Sequence, residues 1–155
     1  MITRPSSATL IEVVRAELRT GVAAAVTDPA ASVVLGMVDT VLASVAVRCE
    51  YEIAWMHDEI GQIEQLAAEL VAARRDPDSE ISSAVRALAD NRSPDLRLCH
   101  VQREYDHAGE VLSRCIEAVA GDVGSPVQAR VRQLLEARVA REAHIRATTP
   151  LTGRT

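Results

Sequence analysis

Four times along this chain a helix-capping residue stands directly before a proline: Asp28-Pro29, Asp76-Pro77, Ser93-Pro94 and Ser125-Pro126. A side-chain oxygen at the cap accepts from the orphan N–H groups of a first helical turn. Proline at the next position loses no needed donor and arrives with its φ already set. Each pair precedes an apolar run of helical period, so each predicts a helix start. With an N-terminal run the total is five helices. No segment alternates in the manner of a strand, so no sheet is predicted.

The predicted helices run from Ser6 to Ala25, from Pro29 to about Arg74, from Pro77 to Ala89, from Pro94 to about Ala120, and from Pro126 to about Ala147. The second is interrupted only by Gly36 and Gly61 and would reach roughly 67 Å unbroken, against roughly 35–40 Å for the fourth and fifth. Either it bends near Gly61, or helix 3 or a second subunit covers the excess. Amphipathic helices with short links bury their stripes by bundling. The expectation is an all-α fold: an antiparallel bundle of four main helices plus one short helix. A single domain covers residues 1–149, and 150–155 form a disordered tail.

Composition narrows the function classes. The 155 residues include 17 Arg, no Lys, no Phe, one Trp and two Tyr. That apolar content, mostly Ala, Val, Leu and Ile, excludes a disordered chain, and the scarcity of aromatics excludes a base-stacking surface. A net charge of −5 argues against general nucleic-acid binding, which needs a basic face. Residues 126–155 carry +4 and residues 1–125 carry −9, the pattern of a basic terminal helix docked on an acidic body. Cys49, Cys99 and Cys115 are odd in number, with no CxxC, which excludes a disulfide framework and a structural zinc site. Free thiols suit the cytoplasm. Residues 1–7 lack the apolar segment of a secretory signal. Ala30 to Val47 is 18 residues long with one charge, Asp39. That length barely spans a bilayer and the central Asp opposes insertion, so a buried helix and no membrane span are expected.

Rotation at 100° per residue puts Val34, Met37, Val41, Val45, Trp55, Ile63, Leu66 and Leu70 on one stripe of helix 2. Arg48, Glu52 and Glu59 fall on the same stripe. On helix 5, Val127, Val131, Leu134 and Leu135 lead into Arg138 and Glu142. On helix 4, Leu98, Val101, Tyr105, Ala108, Leu112, Cys115 and Val119 form the stripe, with Glu104 at its border and His100 and His107 further out. Charges in a seam must be paired. Arg48–Glu52 and Arg138–Glu142 have i,i+4 spacing, and Glu52, Glu59 and Glu104 are candidates for Arg138 from across the bundle. One reading is a shielded Arg–Glu network that fixes register or partner choice. A second is a metal site for Fe, Mn or Zn built from Glu52, Glu104, His107 and Glu142, since Glu104–His107 has the Glu-x-x-His spacing of di-iron bundles. The second Glu-x-x-His of such a site is missing. A third is a ligand pocket walled by Tyr51, Trp55, Met56 and Tyr105, with Glu52, Glu59 and Arg138 as polar handles. Gly121–Ser125 lacks the spacing and Lys of a phosphate-binding loop.

Arg4-Pro5-Ser6 leading into Leu10, Ile11, Val14 and Leu18 resembles the opening of a small all-helical family of uncharacterised bacterial proteins. So does Val41-Leu42-Ala43-Ser44-Val45 followed by Arg48, Glu50 and Glu52. Members are found beside aminoglycoside-phosphotransferase-like and acyl-CoA-dehydrogenase-like proteins. The likeness covers the first third of the chain and implies a helical accessory protein. It transfers no catalytic residue. The functional expectation is a non-enzymatic interaction or accessory bundle, a homo-oligomer or the partner of another helical protein. A carboxylate/His metal- or ligand-binding bundle is the alternative.

Overall fold

The computed structural model describes residues 4–122 and 124–147, so the expected tail at 150–155 lies outside the described residues. Five α-helices carry the fold: α1 (Ser7–Glu17), α2 (Pro29–Ala72), α3 (Glu80–Asp90), α4 (Leu98–Val119) and α5 (Pro126–Ala147). No strand occurs among the described residues, and the fold is all-α. After α1 the chain widens into a π-helical turn at Leu18–Val22 and closes with a 3₁₀ turn at Ala23–Ala25. α2 is a single 44-residue helix through Gly61. A Cβ added at Gly61 would meet nothing, so no close approach requires glycine there.

The four proline pairs divide into two kinds. Asp28 accepts the N–H groups of Ala30 and Ala31 at 3.4 and 3.0 Å, and α2 begins at Pro29. Ser125 Oγ accepts Gln128 N–H at 3.1 Å while Gln128 Oε1 takes Gly124 N–H at 2.9 Å, and α5 begins at Pro126. This is the reciprocal logic of a capping box. The other two starts lie later than predicted. Asp76 to Ser79 forms a turn, Ser79 takes a left-handed φ of 58°, and α3 begins only at Glu80. Asp76 still caps it from a distance, accepting Ile81 N–H at 3.0 Å, Ser82 N–H at 2.9 Å and the Ser82 hydroxyl at 2.5 Å. Ser93-Pro94 belongs to the connection before α4: the Ser93 hydroxyl donates to the Asp95 carbonyl instead of accepting from a first turn, and Ser93 N–H donates to the distant Glu104 carboxylate.

The chain divides into two compact units. The second, Ile53–Val139, has a dry core: Ile60, Ile63, Leu66, Ala67 and Leu70 of α2, Ile81 and Leu88 of α3, Ala108, Val111, Leu112, Cys115 and Val119 of α4, and Val131 and Leu134 of α5. These positions recur at the three- and four-residue steps that put them on one face of each helix, so this unit is a helical bundle.

The first unit, Met1–Glu52 with Ala140–Thr155, is built the other way round. Among its described residues only Ala43 and Ala46 are buried apolar side chains, while Leu10, Val13, Val14, Val33, Val34, Met37, Val38, Val41 and Val45 are exposed. The expectation of a buried helix over Ala30–Val47 is therefore corrected. Val34, Met37, Val41 and Val45 share a stripe, but that stripe faces outward. The inward face carries Ala43, Ala46 and Asp39, whose carboxylate must meet its cation. That cation is Arg15 of α1, with Nε 2.9 Å and Nη2 3.2 Å from the two Asp39 oxygens. Glu12 holds the same guanidinium at 2.7 Å.

Candidate functional site

Glu59 shares a helical face with Ile63 and Leu66, so α2 carries its carboxylate into the second unit's core, where it is 4% exposed. Arg138 continues the Val131–Leu134 face of α5 to the same place. Its Nε lies 2.7 Å and its Nη2 2.5 Å from Glu59 Oε1. The guanidinium also stands over the Tyr105 ring, 5.6 Å from its centroid, a cation–π distance. Burial, and then the Glu59 charge, push the Tyr105 hydroxyl above its ordinary value. The expected convergence of Glu59, Arg138 and Tyr105 is present.

Glu104 is equally buried, on the α4 face that carries Val101, Ala108 and Val111. Its partner is not Arg138. Arg92, in the connection before α4, places Nη1 2.8 Å from Glu104 Oε1, and Ser93 N–H donates to Oε2 at 3.1 Å. Arg92 also pairs with Glu64 of α2. The Glu64 and Glu104 hydrogen bonds together hold the Arg92 guanidinium above its ordinary value. Both buried carboxylates of this unit thus end on the guanidinium of a partly exposed arginine. Sequence periodicity located the acids. Arg92 and Glu64 were missed because Arg92 lies in a connection, where helical spacing carries no information.

The remaining candidates lie elsewhere. Arg48 and Glu52 pair at 3.0 Å in the first unit, with Arg48 half exposed, so this pair is not shielded as expected. Glu142 is exposed and takes Arg146 at 3.4 Å, since the apolar face of α5 ends before it. Tyr51 meets His144 edge-on at 6.3 Å between centroids, and Trp55 is half buried. His107 is half buried, and the Glu104 carboxylate, the expected metal ligand beside it, already has partners on both oxygens. Among the described residues no three His, Cys, Asp or Glu side chains are grouped so as to hold a metal ion. Burial raises the Cys115 thiol to about 11, which suits an inert core residue and not a nucleophile. A surface depression of about 390 Å³ lies beside the start of α3, lined by Arg74, Arg75, Asp76, Asp78, Glu80 and Arg114 among others. Its charges are compensated locally: Arg75 pairs with Asp122 at 2.7 Å, and Arg114 with Glu110 and Glu117 at 2.9 and 3.1 Å.

Among the described residues no chemistry-bearing cluster stands out, and the feature that most needs a function is the uncovered apolar face of the first unit. α2 contains an 18-residue window of mean hydropathy 2.0, of which 11% is buried. By length and composition alone that window suffices to cross a membrane. Comparisons with protein-family models, curated proteins and solved structures return no match.

Proposed function

We propose that this chain is a non-enzymatic helical accessory protein that works by protein–protein contact through its first unit, as an oligomer or against another helix. One observation carries the reading: the first unit places alanines inside and valines, a leucine and a methionine outside. Among its described residues only two alanines are fully buried apolar side chains, and Ile11, Leu18, Leu35, Leu42 and Val47 are only partly covered, so the unit gains little from its own packing, because stabilisation follows buried apolar area. A large exposed apolar surface of this kind marks an interaction site.

Lipid would cover the same surface, but the ion cluster speaks against a membrane span. Asp39 sits at the middle of the apolar window, and its cation is Arg15 of α1. A spanning α2 would carry Glu12 and Arg15 to the depth of the bilayer centre, with Glu17 and Arg19 one turn away. Each such charge costs about 2.5–3.5 kcal/mol on insertion scales. A protein surface lets those charges stay at the rim in water. Free thiols at Cys49 and Cys99, both exposed, suit a reducing cytoplasm. The family resemblance of the first third of the sequence also implies an accessory role.

Sedimentation velocity with a hydrophobic dye tests this reading. The chain is expected to exceed its monomer mass of 16.7 kDa or, where it does not, to bind the dye strongly through the first unit. A monomer that takes up no dye would contradict it.

A further inference from the structure

The exposed face of α2 has the spacing of a helix partner's seam. Val34, Val38, Val41 and Val45 follow steps of four, three and four, with Ala31 three residues earlier. This is the alternation that keeps one helix facing another along a coiled coil. All four valines are between 37% and 59% exposed. No charge interrupts the seam, because Asp39 is turned inward onto Arg15.

Resting on the interaction reading above, we propose that the occupant of this seam is a second copy of the same chain. The two α2 helices lie antiparallel, about a two-fold axis between Val38 and Val41. Three observations select this arrangement. The first is area. Val33, Val34, Met37, Val38, Val41 and Val45 together leave on the order of 500 Å² open. Two copies joined through this face would bury about 1,000 Å², the lower end of what a specific interface buries. The second is the charge at the end of the seam. In a parallel pair the next two seam positions would set Arg48 on Arg48 and Glu52 on Glu52 of the partner subunit. In the antiparallel pair Arg48 instead falls within about a turn of Asp28 of the partner subunit. Glu52 then meets the partner's α2 N-terminus, where the helix dipole favours an acid. The third is symmetry: a face that is apolar, uncharged and regular is complementary to itself, as a two-fold interface requires.

The test uses the full chain. Light scattering over a concentration series up to near-millimolar is expected to rise from the 16.7 kDa chain mass to twice that value. Val38→Glu is expected to weaken self-association at least a hundredfold with helical circular dichroism retained, and Val38→Leu to preserve it. Orientation is read in a Cys49→Ser/Cys99→Ser background. Mixing Val34→Cys with Val45→Cys protein under mild oxidation should give mixed disulfides several-fold above either self-linked product. Preferential self-linking of Val34→Cys, or a Val38→Glu protein that remains dimeric, overturns the proposal. So does a monomer at every concentration. If that monomer binds dye, a different partner covers the seam and the interaction reading stands. If it does not, both fall.

Discussion

Glu59 and Arg138 meet in one corner of the second unit, the carboxylate buried and the guanidinium two-thirds covered, and each needs the other more than the fold needs either. A buried carboxylate stripped of its cation keeps its desolvation cost and loses its compensation. Arg138→Ala is therefore expected to lower unfolding free energy by about 3 kcal/mol in urea titrations. That is the low end for a buried pair, because Arg138 keeps a third of its side chain in water. Replacing both partners by apolar residues, Glu59→Leu with Arg138→Met, should recover most of the loss. Cys115 gives a second residue-scale expectation. Its thiol titrates near 11 in the folded protein and near its ordinary 9 in the unfolded chain. Stability contributed by the neutral thiol is full below 9 and is lost as pH rises through 11, by up to roughly 3 kcal/mol. Melting scans across that range should show a decline that Cys115→Ala reduces, while only Cys49 and Cys99 react promptly with a thiol reagent at neutral pH.

Helix by helix, the sequence was readable where local chemistry acts locally. Asp28-Pro29 and Ser125-Pro126 start α2 and α5 where predicted, because cap and first turn are adjacent. Asp76 and Ser93 fit the same pattern, yet their polar groups serve partners five, six and eleven residues away, and no short motif encodes that. The core faces of α4, α5 and the later half of α2 were likewise legible from their period. The outward turn of Val34, Met37, Val41 and Val45 was not, since period fixes which residues share a face and not what that face meets. Asp39 held the missing clue: a lone acid in an apolar run must point at its cation, and the valines opposite must then point away. Asp76 also sets an element-scale expectation. Hydrogen bonds from Ser82 and Ile81 hold its carboxyl below the ordinary 3.8. Its contribution is present above that value and is lost as pH falls through the depressed one. Hydrogen exchange should show α3 losing protection in acid before α5 does, and Asp76→Ala should produce the same loss at neutral pH. Ser125→Ala should cost about 1 kcal/mol and loosen the first turn of α5.

At the scale of the whole molecule the two units ask different things of their surroundings. The second has an apolar core from four helices and two arginine-capped acids, and its interior is accounted for. The first leaves its described large apolar side chains exposed or only partly covered and holds an ion cluster inside. Such a unit gains its main stabilisation when its surface is covered, so its order should depend on concentration in a way that the second unit's does not. Hydrogen–deuterium exchange along α2, followed over serial dilution, tests this most directly. Amides of residues 33–45 should be protected in concentrated protein and exchange faster on dilution, while those of 60–70 remain protected throughout. Equal protection of the two segments at every concentration would contradict the account.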